Sequence, residues 1–302
     1  MTQSGDLTES ALPGFTSEEV MRKARVENFS VASRFIPRHY RERLLAMYGF
    51  ARFVDDIGDL STGDRIAQLD WAQAETIRAF DGGGTHSVFV RAAKSATELK
   101  MGIEPFLDLI QANRQDQEVK RYRTYADLEQ YCSLSANPVG QMVLSIFGAY
   151  SGETSARSDE ACTALQIIEH LQDVSEDAEQ GRIYLPQEDL ERFNVEEAEL
   201  TRASASPGLR LLIRFEVQRA HSLLESSRPL VRLLGGWARI AVTGFIGGGL
   251  AQIDAIIAAD FDVLSYPVKA RRSSVLKRTL GVYVGALRDS GSKSRSSPEV
   301  RR

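Results

Sequence analysis

Between residues 39 and 60 the chain reads HYRERLLAMYGFARFVDDIGDL, with apolar side chains at 44, 45, 47, 48, 50, 51, 53, 54, 57 and 60. Spacing of that kind covers one broad face at the 3.6-residue period and predicts a helix that is mostly buried. Upstream, TSEEVMRKARVENF offers Thr16 as an N-cap with Glu19 three residues later, the mark of a capping box, so a helix should begin there too. Helical patterns continue at 62–80, 86–101, 103–114, 124–136, 138–151, 156–179, 187–192, 195–202, 205–235, 236–259 and 270–287. No alternating strand run separates them. The punctuation between them is DGGGTH at 81–86, NP at 137–138, YLP at 184–186 and SYP at 265–267. The expected fold class is therefore all-α.

Residues 1–15 and the tail DSGSKSRSSPEVRR from 289 are polar and poor in apolar side chains, so both are expected to be loosely ordered. No Pro/Ser linker divides the body, which predicts a single domain over 16–288, with 81–86 the weakest point of that reading. With 302 residues, 43% of them apolar and 26% charged, the chain can bury a sizeable core. A net charge of −4 without a Lys/Arg stripe argues against a nucleic-acid partner.

Cys132 and Cys162 show neither metal-type spacing nor a disulfide framework, and the four histidines are scattered, so a zinc site is not expected. The opening MTQSGDLTES lacks the pattern of a signal peptide, and a cytoplasmic location is expected. ARIAVTGFIGGGLAQIDAIIAA at 238–259 is interrupted by Arg239, three glycines, Gln252 and Asp254. It reads as too polar for a membrane span, with peripheral contact at the inner membrane face left open.

Charge matters most at two places. FARFVDDIGDL sets Asp55, Asp56 and Asp59 among bulky apolar residues, and HLQDVSEDAEQGRIYLP repeats the four-residue spacing with Asp173 and Asp177. On a helix, residues four apart lie about 5–6 Å apart at Cβ, so each pair sets two like charges side by side. A counter-charge is required. Mg²⁺ suits it, since it takes oxygen ligands and commonly joins protein carboxylates to substrate phosphates. One such pair is ordinarily an acidic patch on a solvated face. Two pairs, the second leading into GRIYLP where Arg182 and Tyr184 add donors, favour a metal–diphosphate site with Asp55, Asp59, Asp173 and Asp177 as ligands.

YGFARFVDDIGD and HLQDVSEDAEQGRIYLP closely resemble the two aspartate motifs of the squalene and phytoene synthase family, and the likeness runs over roughly 20–285. It implies an isoprenoid-synthase helical fold in which facing aspartate motifs hold a prenyl diphosphate through Mg²⁺ above a central apolar tunnel. It also implies contacts to the diphosphate or the reacting carbons from Asn28, Ser30, Tyr48, Arg52 and Gln166.

SANPVG at 135–140 and VENFSVASRFIP at 26–37 resemble the hydroxysqualene synthase branch of hopanoid-producing bacteria. The branch's reaction converts presqualene diphosphate and water into hydroxysqualene and diphosphate, a Mg²⁺-assisted carbon–oxygen lyase reaction without NADPH. Such an enzyme works beside others of the squalene pathway. The rival within the family is a head-to-head prenyl transferase making presqualene diphosphate, squalene or phytoene. A rival outside it is a catalytically silent helical assembly factor. The chain departs from the family at Glu169 (usually Asn), Gln172 (often Arg), Phe261 (often Tyr) and ANP at 136–138 in place of AGT-like residues.

Glu169, one turn before Asp173, has two readings: catalytic, by metal binding or orienting the capturing water, or the partner of a nearby arginine. Tyr131 and Asn137 either line the pocket where water meets the cation or serve helix packing and capping. His170 reads as a structural histidine on a neighbouring face. Lys269, Arg271, Arg272, Lys277 and Arg278 either close over the diphosphate or form a solvated or membrane-facing basic helix. Gly244 and Gly247–Gly249 point to close helix packing or a cavity.

Overall fold

A computed structural model of the chain describes residues 36–293, with the side chains of 289–293 excluded. The predicted capping box at Thr16, the N-terminal tail and residues 294–302 lie outside the described residues, whereas 289–293 of the predicted C-terminal tail are helical. Among the described residues the fold is all-α, as the periodicity predicts, and the one β feature is an isolated bridge between Arg121 and Ile183. These residues form two compact units. One runs to Val119 and takes in Pro138–Gly148, and the other comprises Lys120–Asn137 and the chain from Ala149.

In the first unit, α1 (Arg38–Leu60), α2 (Arg65–Phe80), α3 (Ser87–Glu98) and α4 (Glu104–Glu118) pack on one another, and α6 (Asn137–Ile146) joins them from Pro138. The apolar face of α1 buries Phe50, Phe53, Val54 and Ile57 completely. Phe50 meets Phe89 of α3 and Phe106 of α4 edge-on, at centroid distances of 5.3 and 5.0 Å, an arrangement that suits aromatic quadrupoles. Asp64 caps α2 by accepting from the Ala67 N–H at 2.9 Å. The 81–86 stretch is a tight connection, not a boundary: buried Glu75 accepts from the backbone N–H groups of Thr85 and His86, both at 2.6 Å.

In the second unit, α5 (Tyr125–Ser135) and α7 (Gly152–Gln172) both start at capping boxes, Thr124/Asp127 and Ser151/Thr154. After α7 come α8 (Val174–Glu179), α9 (Gln187–Arg192), a 3₁₀ turn at Glu197–Glu199, α10 (Pro207–Ser227), α11 (Pro229–Leu233), α12 (Gly236–Ala258) and α13 (Arg272–Lys293). Two long helical patterns are broken where the periodicity alone runs on. Pro229 splits 205–235, since proline cannot donate the backbone bond a helix interior needs. The run 156–179 breaks at Asp173, whose φ −104° and ψ 15° leave the helical region. The 195–202 pattern yields only the 3₁₀ turn.

Helix α12 is the packing centre of this unit, touching α7, α10, α11 and α13. By length and composition it passes for a membrane span, as core helices do, and 56% of its apolar window is buried inside the protein. Two of its glycines are packing sites. A Cβ at Gly249 would press on Leu165 and Leu224, and one at Gly247 would lie 2.5 Å from the Thr279 Cα on α13, whereas Gly244 and Gly248 face open space. The strip 120–123 is stitched to 181–188 by backbone bonds from Ile183 to Lys120 (3.0 Å), Gln187 to Tyr122 (2.9 Å) and Glu188 to Arg123 (3.0 Å).

Candidate active site

The first acid set lies near the C-terminal end of α1, where Tyr48, Arg52, Asp55 and Asp59 follow one another at spacings of four, three and four and so share a stripe. The last turn of α1 holds no basic residue to offset the negative end of its macrodipole. Asp55 is half-buried and Asp59 exposed. Burial pushes the Asp55 carboxyl up to about 7, with Asp59 and Asp56 adding to the rise, while the Asn113 side chain and Arg52 oppose it. Asn113 of α4 donates from Nδ2 to Asp55 Oδ1 at 3.0 Å.

Asp56, the third acid of the motif, plays a different part. It is 1% exposed and paired with the Arg52 guanidinium at 2.9 Å, which settles its charge inside the unit. Arg52 is thus engaged with Asp56 as well as standing on the Asp55 stripe. Tyr48 is half-buried one turn earlier. Asn28 and Ser30 lie outside the described residues.

Asn113 can reach Asp55 because residue 58 has no side chain: a Cβ there would collide with the Asn113 amide oxygen and sit 3.2 Å from its Cγ. Gly58→Ala is therefore expected to turn Asn113 away. The ionised Asp55 then loses a donor, and its titration, followed by NMR on protein carrying ¹³C-labelled aspartate side chains, should move further upward. An unchanged midpoint would mean that Asn113 does not support the charge.

The second set straddles the junction of α7 and α8 in the other unit. Asp173 itself is the break between the two helices, yet Asp177 N–H still bonds the Asp173 carbonyl at 2.8 Å, so the two acids keep helical register. Asp173 reaches solvent and Asp177 is half-buried. The Asp173 carboxyl is pushed up to about 6 by desolvation and then by Asp177, Glu169 and Glu176, with His170 pulling the other way. Exposed Glu169 thus acts on Asp173 through charge, and no described ion pair ties it to an arginine.

His170 is the residue that sequence reading misplaced. Gln166, His170, Asp173 and Asp177 repeat the four-three-four spacing of the first set, so His170 stands where Arg52 stands in the other stripe. Its Nε2 is 3.2 Å from Gln166 Nε2 and its Nδ1 3.7 Å from Asp177 Oδ2. Its ring stacks on Tyr184 at 3.7 Å and 10°. Tyr184 in turn stacks on Tyr122 at 5.7 Å, and Tyr131 lies 5.5 Å from Tyr184. Tyr131 and Tyr184 are both buried in this ring cluster.

Asn137, at the start of α6, accepts through its Oδ1 from Thr163 Oγ1 of α7 at 3.2 Å. Arg182 reaches Gln180 Oε1 at 2.8 Å and donates its backbone N–H to the Asp177 carbonyl at 2.8 Å. Gln172, where the family often has Arg, ties the end of α7 to the Val268 carbonyl at 3.1 Å, and Gln252 of α12 holds the same carbonyl at 2.7 Å. Neither Asn113, which touches Asp55, nor Tyr122, which stacks on Tyr184, carried a sequence signal, since an amide and a tyrosine on helical or loop strips look the same whatever they touch.

Among the described residues, no three His, Cys, Asp or Glu side chains converge closely enough to hold a metal ion by themselves. Each unit instead offers a carboxylate pair, Asp55 with Asp59 and Asp173 with Asp177. Oxygen donors in that number suit a hard cation that keeps much of its shell for water and phosphate.

The model of the family described as squalene/phytoene synthase matches residues 22–275. The hydroxysqualene synthase of Rhodopseudomonas palustris is 36% identical over 210 residues, 68% of this chain and 70% of its own. The phytoene synthase of Mycobacterium tuberculosis is 34% identical over 209 residues, 68% of either chain. Among solved structures, the squalene synthase HpnC of Alicyclobacillus acidocaldarius is 40% identical with a TM-score of 0.76, covering 81% of this chain and 94% of its own. With its aspartate pairs, its all-α isoprenoid-synthase fold and these likenesses, the chain belongs to the squalene and phytoene synthase family of isoprenoid-forming enzymes.

Proposed function

We propose that the protein is a hydroxysqualene synthase, converting presqualene diphosphate and water into hydroxysqualene and diphosphate in the cytoplasm. The observation that carries the reading is the 36% identity to a hydroxysqualene synthase over two thirds of the chain. We read 16–288 as one catalytic domain and assign Mg²⁺ to Asp55, Asp59, Asp173 and Asp177. When bound, the metal supplies positive charge to the departing diphosphate oxygens.

The chain's own groups do the rest. Arg52 and Arg182, with Asn28, Ser30, Tyr48 and Gln166, are assigned to the phosphate oxygens, which guanidinium, amide and hydroxyl donors satisfy well. The carbon–oxygen bond to diphosphate breaks with its electron pair leaving on the diphosphate. The rearranged cation then takes a water oxygen, and the proton is released to water. Tyr131 and Tyr184 are assigned to the wall of the substrate pocket, and Glu169 and Asn137 to orienting the water. No hydride enters, so no NADPH is required.

Purified protein given presqualene diphosphate and Mg²⁺ is expected to release hydroxysqualene at a rate indifferent to NADPH, and EDTA should stop it. Farnesyl diphosphate alone should be left untouched. The second reading, a head-to-head transferase, draws on the 34% identity to a phytoene synthase. Consumption of farnesyl diphosphate, or squalene appearing only with NADPH, would favour it and overturn the first. No Mg²⁺-dependent turnover of either substrate would point to a silent assembly factor.

A further inference from the structure

The stretch 263–288 carries six basic residues, Lys269, Arg271, Arg272, Lys277, Arg278 and Arg288, and no acid, in a chain whose net charge is −4. Most of it is α13. The inner face of that helix packs through Val282 and Ala286, both buried, and through Thr279 against Gly247. Its outer face carries Leu276, Leu280 and Leu287, which are 71%, 59% and 47% exposed. They are four and seven residues apart, so they lie in one stripe along the helix. Three exposed leucines on one helix line are not the scattered apolar residues any surface shows.

Of the six bases, Arg278 is held by Asp254 of α12, and the other five carry no ion pair among the described residues. Lys277 and Arg288 fall just past the leucine stripe on the helix, where their stems can lie along apolar surface while the charge reaches outward. An apolar stripe bordered by unneutralised cations is the arrangement that lies in the plane of an anionic bilayer surface.

We propose that α13 docks the protein on an anionic lipid surface through Leu276, Leu280 and Leu287, with Lys269, Arg271, Arg272, Lys277 and Arg288 meeting the headgroups. A second copy of the chain fits less well, because pairing two such faces sets cation against cation. Residues 1–35 fit less well too, since their acids and bases nearly balance. The inference stands apart from the assigned reaction, because none of these residues is placed in its machinery.

The test is flotation of the full-length protein with phosphatidylcholine vesicles, with and without phosphatidylglycerol. Binding is expected only with the anionic lipid and should weaken as salt screens the cations. L276S/L280S should lower it about tenfold or more, and K277Q/R288Q should lower it and flatten its salt dependence. Both variants should keep the wild-type melting temperature and turnover. Absence of wild-type flotation, or undiminished flotation of L276S/L280S, would overturn the proposal. So would a fall in oligomeric mass for L276S/L280S by light scattering, which would make the face a contact between copies. Faster amide exchange in 1–35 of that variant without vesicles would likewise overturn it, showing that the N-terminal segment covers the leucines.

Discussion

Asp55→Asn is expected to abolish turnover, by about a thousandfold or more, while leaving helix content intact and making the metal-free protein more stable above neutral pH. The amide keeps an oxygen for the Asn113 donor but gives up the negative charge that Asp55 sets against Asp56 and Asp59 at the negative end of α1. The sign follows from the direction of the shift. Folding raises this carboxyl from 3.8 to about 7, so the folded state binds the proton more tightly. The stability it contributes is complete below about pH 4 and is lost as pH climbs through 7. The variant's advantage should therefore be absent in acid and emerge toward pH 8, as a rise of a few degrees in melting temperature.

Asp173→Asn should lose turnover equally but gain less stability, because Asp173 reaches solvent and its carboxyl rises only to about 6. Saturating Mg²⁺ should reverse the order, stabilising wild type and leaving both variants nearly unmoved. Turnover within a few-fold of wild type at saturating Mg²⁺ in either variant would remove that aspartate from the metal set.

Two neighbouring glycines of α12 should respond to alanine with opposite signs. A Cβ on residue 247 would stand 2.5 Å from the Thr279 Cα and 2.6 Å from its nitrogen. These are backbone atoms that no rotamer change can move, so α12 and α13 must separate. Gly247→Ala is expected to cost about 2–3 kcal/mol despite the better helix propensity of alanine. Gly248 has nothing within 4 Å of a Cβ, and Gly248→Ala should gain roughly 0.5–1 kcal/mol by restricting the unfolded chain. Urea midpoints of the two variants on the same side of wild type would refute the packing account.

The helices were legible because burial imposes a period on sequence: α1, α2, α9 and α12 begin and end within three residues of the pattern. The misses have local causes. Pro229 sits inside an unbroken apolar rhythm that continues as α11, and Asp173 breaks a helix whose hydrogen-bond register resumes at once. At the site, acids announced themselves by like-charge spacing, which only a counter-charge can excuse. His170 gave no such sign, because an imidazole between Gln166 and Asp177 creates no conflict that a sequence must resolve. Asn113 needed the absence of a side chain at Gly58 to matter, and a pairing such as Asn113 with Asp55, 58 positions apart, leaves no trace in one chain.

The stitch between 120–123 and 181–188 has a consequence for how the second acid set comes to be ordered. Its partners are about sixty residues apart along the chain, and closing a loop of that length costs on the order of 3–4 kcal/mol in chain entropy. Three backbone hydrogen bonds at about 1 kcal/mol each at most cancel that cost. The stack of Tyr122 on Tyr184 and of Tyr184 on His170 therefore tips the closure. The Asp173–Asp177 region is therefore expected to order together with its tyrosines, with chain connectivity adding a threshold to the one that local helix propensity sets.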